Sequence, residues 1–117
     1  MGVLLYPDQA KYEGFFKDGM YHGFGKMTQA NGDVYIGEWV KDKATGKGQF
    51  YDAKLNVRYI GDWEDDLQSG FGEEIWGDDN GRTHYQGTFY KGKKHGRGRF
   101  EWSDGSYYEG DFVDGNF

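Results

Sequence analysis

A repeat of about 23 residues occupies nearly the whole chain and limits the fold to an array of similar units. Each unit opens with a Tyr-x-Gly-x-aromatic element, and in each of the four complete units a Gly-x-Gly pair begins nine residues after the glycine of that element. The elements start at Tyr12, Tyr35, Tyr59, Tyr85 and Tyr108. We therefore predict a single domain over residues 1–117. Residues 1–11 would be the end of a preceding repeat, so we expect the chain to be part of a longer array.

Alternation of large and polar side chains within each unit predicts β-strands. In Tyr35-Ile36-Gly37-Glu38-Trp39 the tyrosine, glycine and tryptophan fall on one side of an extended chain. The Gly-x-Gly-x-aromatic segment alternates in the same way, so each unit is predicted to form a hairpin of two short strands. Glycine-containing turn dipeptides lie between the segments, namely Asp18-Gly19, Asn31-Gly32, Lys91-Gly92, Asp104-Gly105 and Asp114-Gly115. Five hairpins with strands about 4.8 Å apart predict an all-β rod on the order of 50 Å long.

Glycine and aromatic residues dominate the material available for a core. The chain has 21 Gly and 23 aromatic residues (10 Tyr, 9 Phe and 4 Trp) but only 12 Leu, Ile and Val. Glycine usually weakens the interior of a strand, so its fixed positions need a structural reason. We predict that each glycine leaves space for an aromatic ring of a neighbouring strand to lie across the backbone.

The array resembles MORN repeats, whose pattern is close to Tyr-x-Gly-x-Trp followed by a glycine, His-Gly-x-Gly and an aromatic strand. The best matches in this chain run from Tyr85 to Gly98 and from Tyr12 to Gly25. The resemblance covers essentially the whole chain. It implies an elongated, twisted, single-layer antiparallel sheet of tandem β-hairpins with a concave aromatic face.

The second and third units depart from the family pattern. Asp42 and Asp66 replace the turn glycine, and Thr45 and Ser69 replace the histidine that the other units carry at His22 and His95. Insertions precede Tyr59 and lengthen the loop between Gly77 and His84. These departures bear on the local hairpin geometry and not on the fold. Because His22 and His95 are equivalent repeat positions, we expect them to be structural, with rings that make hydrogen bonds near the turn.

Several classes of function are disfavoured by the sequence. The chain has no cysteine, which excludes disulfides, thiolate metal sites and cysteine nucleophiles and favours a cytoplasmic location. The net charge of −6 opposes binding to nucleic acid. No catalytic constellation, metal-ligand spacing or cofactor motif lies outside the repeat, and the acidic stretch Asp62 to Asp79 is interpreted as a solvated face. We therefore expect a non-catalytic module without a cofactor.

The aromatic residues of the repeat are the predicted binding surface for a protein partner. The stripe comprises Tyr12, Phe16, Tyr35, Trp39, Tyr59, Trp63, Tyr85 and Phe89, continued by Tyr108 and Phe112. The chain has too few residues to cover this stripe with a second layer, so part of it is expected to form an exposed apolar groove. We predict that a partner helix lies in the groove or that a partner strand adds to an open sheet edge, with Trp39 and Trp63 as hot spots.

Three alternatives stay open at the level of the sequence. A cationic cluster comprising Lys91, Lys93, Lys94, Arg97 and Arg99 is the candidate for weak binding to anionic lipid. Open sheet edges also allow self-association. The resemblance to MORN repeats implies adaptor, cytoskeletal or membrane-associated roles, or an accessory segment beside a lipid kinase or lysine methyltransferase domain.

Overall fold

Ten β-strands form one open antiparallel sheet in the computed structural model, which describes residues 1–77 and 82–116. Each strand pairs with the next one in chain order, and the described residues contain no helix, hence none long and apolar enough to cross a membrane. The sheet measures 46 × 28 × 18 Å, close to the predicted rod. The predicted all-β array of tandem hairpins is confirmed. The strands are β1 (Gly2–Leu5), β2 (Lys11–Lys17), β3 (Met20–Thr28), β4 (Val34–Val40), β5 (Lys43–Asp52), β6 (Val57–Glu64), β7 (Leu67–Trp76), β8 (Thr83–Tyr90), β9 (Lys93–Glu101) and β10 (Tyr107–Phe112).

A row of glycines crosses the sheet at one register, one glycine from each strand. Each tyrosine of the repeat lies over this row, so a Cβ atom at Gly72 would overlap the ring and hydroxyl group of Tyr59. A Cβ atom at Gly61 would come within 2.5 Å of Gly72 Cα. The prediction that glycine makes room for a ring is confirmed for this row, but not for Gly46, Gly70 and Gly96, which have positive φ and lie against Glu38, Asp62 and Thr88. The row consists of Gly2, Gly14, Gly25, Gly37, Gly48, Gly61, Gly72, Gly87, Gly98 and Gly110.

The tyrosine hydroxyl groups satisfy backbone carbonyls at β-bulges. The register shifts just after the glycine in each complete hairpin, for example between Gly61 and Trp63. The Tyr59 hydroxyl donates a hydrogen bond to the Asp62 carbonyl at 2.7 Å. The same hydrogen bond, to the carbonyl of the residue three positions later, is made by Tyr12, Tyr35, Tyr85 and Tyr108. Because a buried carbonyl without a partner is costly, this bond fixes both the ring and the bulge.

The core is a continuous row of edge-to-face rings. The aromatic residue four positions after each tyrosine packs against that tyrosine and against the tyrosine of the preceding repeat. The Trp63 ring centroid lies 5.1 Å from that of Tyr59 and 5.2 Å from that of Tyr35. Phe89 contacts Tyr85 and Tyr59 in the same way, at 5.2 and 5.0 Å. Repeats are therefore joined through shared rings, in the geometry that aromatic pairs prefer.

The aspartates that replace the turn glycine preserve the hairpin. Asp66 adopts a left-handed conformation with φ of 71°, its backbone N–H donates to the Ala44 carbonyl, and its carboxylate accepts from the Ala44 N–H at 2.7 Å. Asp42 makes the same pair of bonds to Tyr21. In the fourth repeat Gly92 makes only the first of them, to Gln68. The insertion predicted between Gly77 and His84 lies largely outside the described residues.

The expectation that the repeat-equivalent histidines His22 and His95 make hydrogen bonds through their rings is wrong for one ring nitrogen of His95. His95 Nδ1 is buried without a hydrogen-bond partner, and the nearest carboxylate oxygen, on Asp114, lies 3.9 Å away. The backbone carbonyl of His95 instead accepts a hydrogen bond from the Thr88 hydroxyl. The position thus contributes through its backbone and its ring packing against Tyr90.

Candidate binding surface

The two faces of the sheet differ sharply in charge. We call the side that carries the tyrosine row the aromatic face and the opposite side the charged face. Along the described strands, the charged residues on the aromatic face are Asp52, Glu74 and Lys94, according to strand register. The charged face bears Lys11, Glu13, Lys26, Glu38, Lys47, Arg58, Asp62, Glu73, Arg97, Arg99, Glu109 and Asp111, among others.

Cross-strand ion pairs organise the charged face. Lys47 pairs with Asp62, Arg97 with Asp111 at 3.7 Å, and Arg99 with Glu109 at 3.4 Å. These pairs are partly or largely exposed, so each contributes little to stability, on the order of 0–1 kcal/mol. The mixture of positively and negatively charged side chains is typical of a solvent-exposed surface.

The predicted cationic cluster is divided between the two faces. Arg97 and Arg99 lie on the charged face, beside carboxylates of β10. Lys94 lies on the aromatic face, where its ammonium group contacts Glu74 at 3.2 Å. Lys91 and Lys93 lie at the tip of the β8–β9 hairpin. The five cations therefore do not form one patch, and three of them are paired with carboxylates.

The predicted aromatic stripe is brought together, but most of it is not exposed. Of its eight residues Tyr12, Phe16, Tyr35, Trp39, Tyr59, Trp63, Tyr85 and Phe89, only Phe16 is exposed, at 40%, whereas the other seven are buried. The expectation that part of the stripe is exposed is met only at Phe16, and it is wrong for the predicted hot spots Trp39 and Trp63. The glycine row lets each ring sink onto the backbone, and the ring of the next repeat covers it, so one layer buries its own core.

The predicted hot spots Trp39 and Trp63 serve the same core. Their exposed fractions are 7% and 8%. The Trp39 indole N–H donates to the Gly25 carbonyl at 3.2 Å, and the Trp63 indole N–H donates to the Gly48 carbonyl at 3.1 Å. Each tryptophan therefore links its repeat to the preceding one, and little of its surface is left for a partner.

A second row of apolar side chains lies on the aromatic face beside the buried rings. We call it the apolar strip: Met27, Phe50, Trp76 and Phe100, all partly buried and packed against the core. Met27 and Phe50 both face Tyr35 across the strand ladder, and Phe100 faces Tyr85. The strip is absent from the predicted site, although the aromatic position in the Gly-x-Gly-x-aromatic segment marks Phe50 and Phe100 in the sequence.

A cavity of about 240 Å³ opens between two members of the apolar strip. Its floor is the Tyr59 ring. Burial raises the pKa of the Tyr59 hydroxyl, and the Asp62 and Glu74 carboxylates raise it further. The floor is therefore a neutral ring at physiological pH. The lining is completed by Phe50, Asp52, Leu55, Val57, Gln68, Glu74 and Trp76.

Nothing in the described part of the chain groups three or more His, Asp or Glu side chains in a way that could hold a metal ion. Burial raises the pKa of Tyr85 to about 12, with the Glu74 carboxylate as a second cause. Such a hydroxyl is a structural donor and not an acid or base near neutral pH. The aromatic face thus offers shape, rings and a few fixed charges.

Comparison with known proteins identifies the repeat. The family model for the MORN repeat matches residues 12–34, 35–57, 59–81 and 85–107. Over 97 residues the chain is 36% identical to Alsin from Mus musculus and from Homo sapiens, which covers 79% of this chain but 6% of Alsin. Over 94 residues it is 36% identical to MORN repeat-containing protein 3 from Xenopus laevis, covering 78% of this chain and 38% of that protein. MORN repeats are typically protein- or membrane-binding modules, and this chain belongs to the MORN-repeat family.

Proposed function

We propose that the chain is a non-catalytic module that holds a protein partner on its aromatic face. The observation that carries this proposal is the apolar strip on a face with almost no charge. Depletion of charge and enrichment in aromatic residues and methionine distinguish the centre of a protein interface from the rest of a surface. The charged face has the opposite character.

The strip residues are the proposed contacts, and the buried rings support them from below. A side chain with no exposed surface, such as Tyr12 or Tyr85, cannot touch a partner in this conformation. Phe16, Phe50 and Trp76 can. Met27 lies on β3 and Phe50 on β5, two strands further along the sheet, and alternate strands of a sheet are about 10 Å apart. Residues seven apart on a helix have nearly the same spacing, roughly 10.5 Å, which favours a helix laid across the strands.

Face-specific photo-crosslinking tests this proposal. A photoreactive phenylalanine is introduced at Phe50 on the aromatic face or at Tyr51, its neighbour on the charged face, and both chains are irradiated in an extract of the source cells. Circular dichroism shows beforehand that both variants are folded. We expect a discrete adduct from position 50 and none from position 51.

The reverse pattern would contradict the proposal. Tyr51 lines a depression of about 370 Å³ on the charged face with Val34, Ile36 and Arg58, so position 51 also probes a competing surface. An adduct confined to position 51 would place recognition there. Absence of an adduct at position 50 would contradict the proposal that the partner binds the apolar strip.

A further inference from the structure

The Lys94 ammonium group shows how the aromatic face holds a cation. Its nitrogen lies 4.6 Å from the Trp76 ring centroid, 5.6 Å from that of Tyr85 and 6.0 Å from that of Phe100. Glu74 accepts its hydrogen bond at 3.2 Å. Only 17% of the Lys94 side chain and 14% of the Glu74 side chain are exposed. Rings and a carboxylate together compensate the ammonium group for the water it loses.

The equivalent position one repeat earlier has no cation of its own. Lys94 pairs with Phe89 across the hairpin, and the corresponding pair in the third repeat is Gln68 with Trp63. Tyr59 therefore corresponds to Tyr85 as the floor. The cavity of about 240 Å³ lies above Tyr59, beside Gln68.

The walls of this cavity are the repeat equivalents of the Lys94 surroundings, with more negative charge. By repeat position, Asp52 in the cavity corresponds to Trp76 in the Lys94 site, and Glu74 in the cavity corresponds to Phe100. Phe50 in the cavity corresponds to Glu74 in the Lys94 site. Trp76, which is part of the Lys94 site, also lines the cavity. Two carboxylates and two ring walls thus surround the space, and none of the lining residues is a lysine or arginine.

The net charge around the cavity is negative even when Lys94 is counted. One Glu74 oxygen pairs with Lys94, which leaves Asp52 as the unbalanced charge among these three groups. Asp52 Oδ1 accepts the Leu55 backbone N–H at 2.9 Å, so the carboxylate is held at the rim of the cavity. A cation entering here would make the group neutral.

We propose that this cavity receives a lysine side chain of the protein partner, with the ammonium group beside Asp52 and Glu74 and the methylene groups against Phe50 and Trp76. The inference rests on the proposed function and specifies the chemistry of the partner. Lys94 provides the precedent, because the same sheet already seats a lysine one repeat further along.

The first test uses n-butylammonium, which reproduces the end of a lysine side chain, and 1-butanol, a neutral molecule of similar size. The Trp76 indole N–H signal of the 117-residue chain is followed by NMR during titration with each compound. We expect a saturable shift with n-butylammonium and none with 1-butanol. Equal responses to both, no saturable response, or tighter binding of n-butylguanidinium would overturn the proposal.

The second test fills the cavity from within. Gln68→Lys places an ammonium group at the position equivalent to Lys94, so it should raise the melting temperature and abolish the n-butylammonium shift. Gln49→Lys makes the same change on the charged face and should leave the shift intact. Asp52→Asn keeps an oxygen for the Leu55 N–H and should weaken binding roughly two- to fivefold. Unchanged binding in both Gln68→Lys and Asp52→Asn would refute the assignment.

Failure of this inference is distinguishable from failure of the proposed function. If the crosslinked adduct at position 50 persists in Gln68→Lys while n-butylammonium never binds, the partner uses the aromatic face without a lysine. If position 50 gives no adduct, the proposed function itself is wrong.

Discussion

At the scale of single residues, one tyrosine and one glycine form the building unit of this sheet. The tyrosine ring covers a glycine of the neighbouring strand, and its hydroxyl bonds to the carbonyl at the bulge three residues onward. The ring thus occupies the space of the missing Cβ atom, while the hydroxyl satisfies the backbone where the ladder is interrupted. This unit explains why 23 aromatic residues can replace an aliphatic core.

Removing the hydroxyl of Tyr59 tests this unit. Tyr59→Phe keeps the ring but leaves the Asp62 carbonyl without its 2.7 Å hydrogen bond. We expect the free energy of unfolding in urea to fall by about 1–3 kcal/mol. Tyr51→Phe is the matched control, because its hydroxyl bond to Asn56 is long, at 3.3 Å, and exposed. Equal losses from both variants would contradict the role given to the bulge carbonyl.

At the scale of the hairpin, the turn aspartates Asp42 and Asp66 tie the second and third repeats to the repeats before them. Asp66→Ala removes the carboxylate bond to the Ala44 N–H and places alanine at φ of 71°. We expect a loss of about 1–3 kcal/mol of unfolding free energy. Asp66→Asn retains an oxygen acceptor in a residue that tolerates this conformation, so it should be nearly neutral. Equal stability of Asp66→Ala and the parent would show that the turn does not need this bond.

The pair formed by Glu74 and Lys94 links the third and fourth hairpins. Lys94→Met or Glu74→Leu alone leaves one partly buried charge without its partner, and we expect a loss of about 1–3 kcal/mol for each. The double variant restores an apolar match and should lie within roughly 1–2 kcal/mol of the parent. A double-mutant cycle in urea measures the difference. Additive losses would mean that the two charges do not interact.

The sequence predicts the hairpins well because their pattern is local. Tyr59, Gly61 and Trp63 each meet a requirement of the strand and bulge, so spacing alone places them. The sequence also shows that Asp66 departs from the pattern. It does not show that the Asp66 carboxylate compensates by accepting a hydrogen bond from the strand of the preceding repeat. Exposure was predicted incorrectly, because whether Trp63 is covered depends on Tyr35, a ring from another repeat. The cavity above Tyr59 likewise depends on contacts across three strands.

At the scale of the whole molecule, the strict alternation of side chains separates an aromatic face with few charges from a charged face. This separation also places the cations between Lys91 and Arg99 on different faces. We therefore expect weak binding to anionic vesicles at 0.15 M salt, with a binding free energy on the order of that contributed by one or two lysines. Co-sedimentation with phosphatidylserine vesicles measures it. Lys91→Glu with Lys93→Glu should abolish whatever binding occurs at low salt. Tight, salt-resistant binding would instead support the lipid role.

The shared core predicts a cooperative response to alkali. Burial is the largest cause of the raised pKa of Tyr12, Tyr35, Tyr59 and Tyr85. In the unfolded chain these hydroxyls ionise near their ordinary pKa of 10, whereas in the folded sheet they ionise at higher pH, for Tyr85 at about 12. The folded state therefore binds these protons more tightly than the unfolded chain does. The resulting contribution to the free energy of unfolding is fully present below pH 10 and is lost as the pH rises through the pKa values of the folded state.

We expect the free energy of unfolding to fall steeply above pH 10, with the late tyrosines ionising together as the sheet opens. Absorbance at 295 nm reports tyrosinate, and circular dichroism reports the strands in the same titration. A late absorbance step that coincides with loss of the strand signal would support a core shared by all repeats. Ionisation of every tyrosine near pH 10 with an intact strand signal would show that the row of rings is open to water, and the division into a buried core and a partly buried apolar strip would then fail.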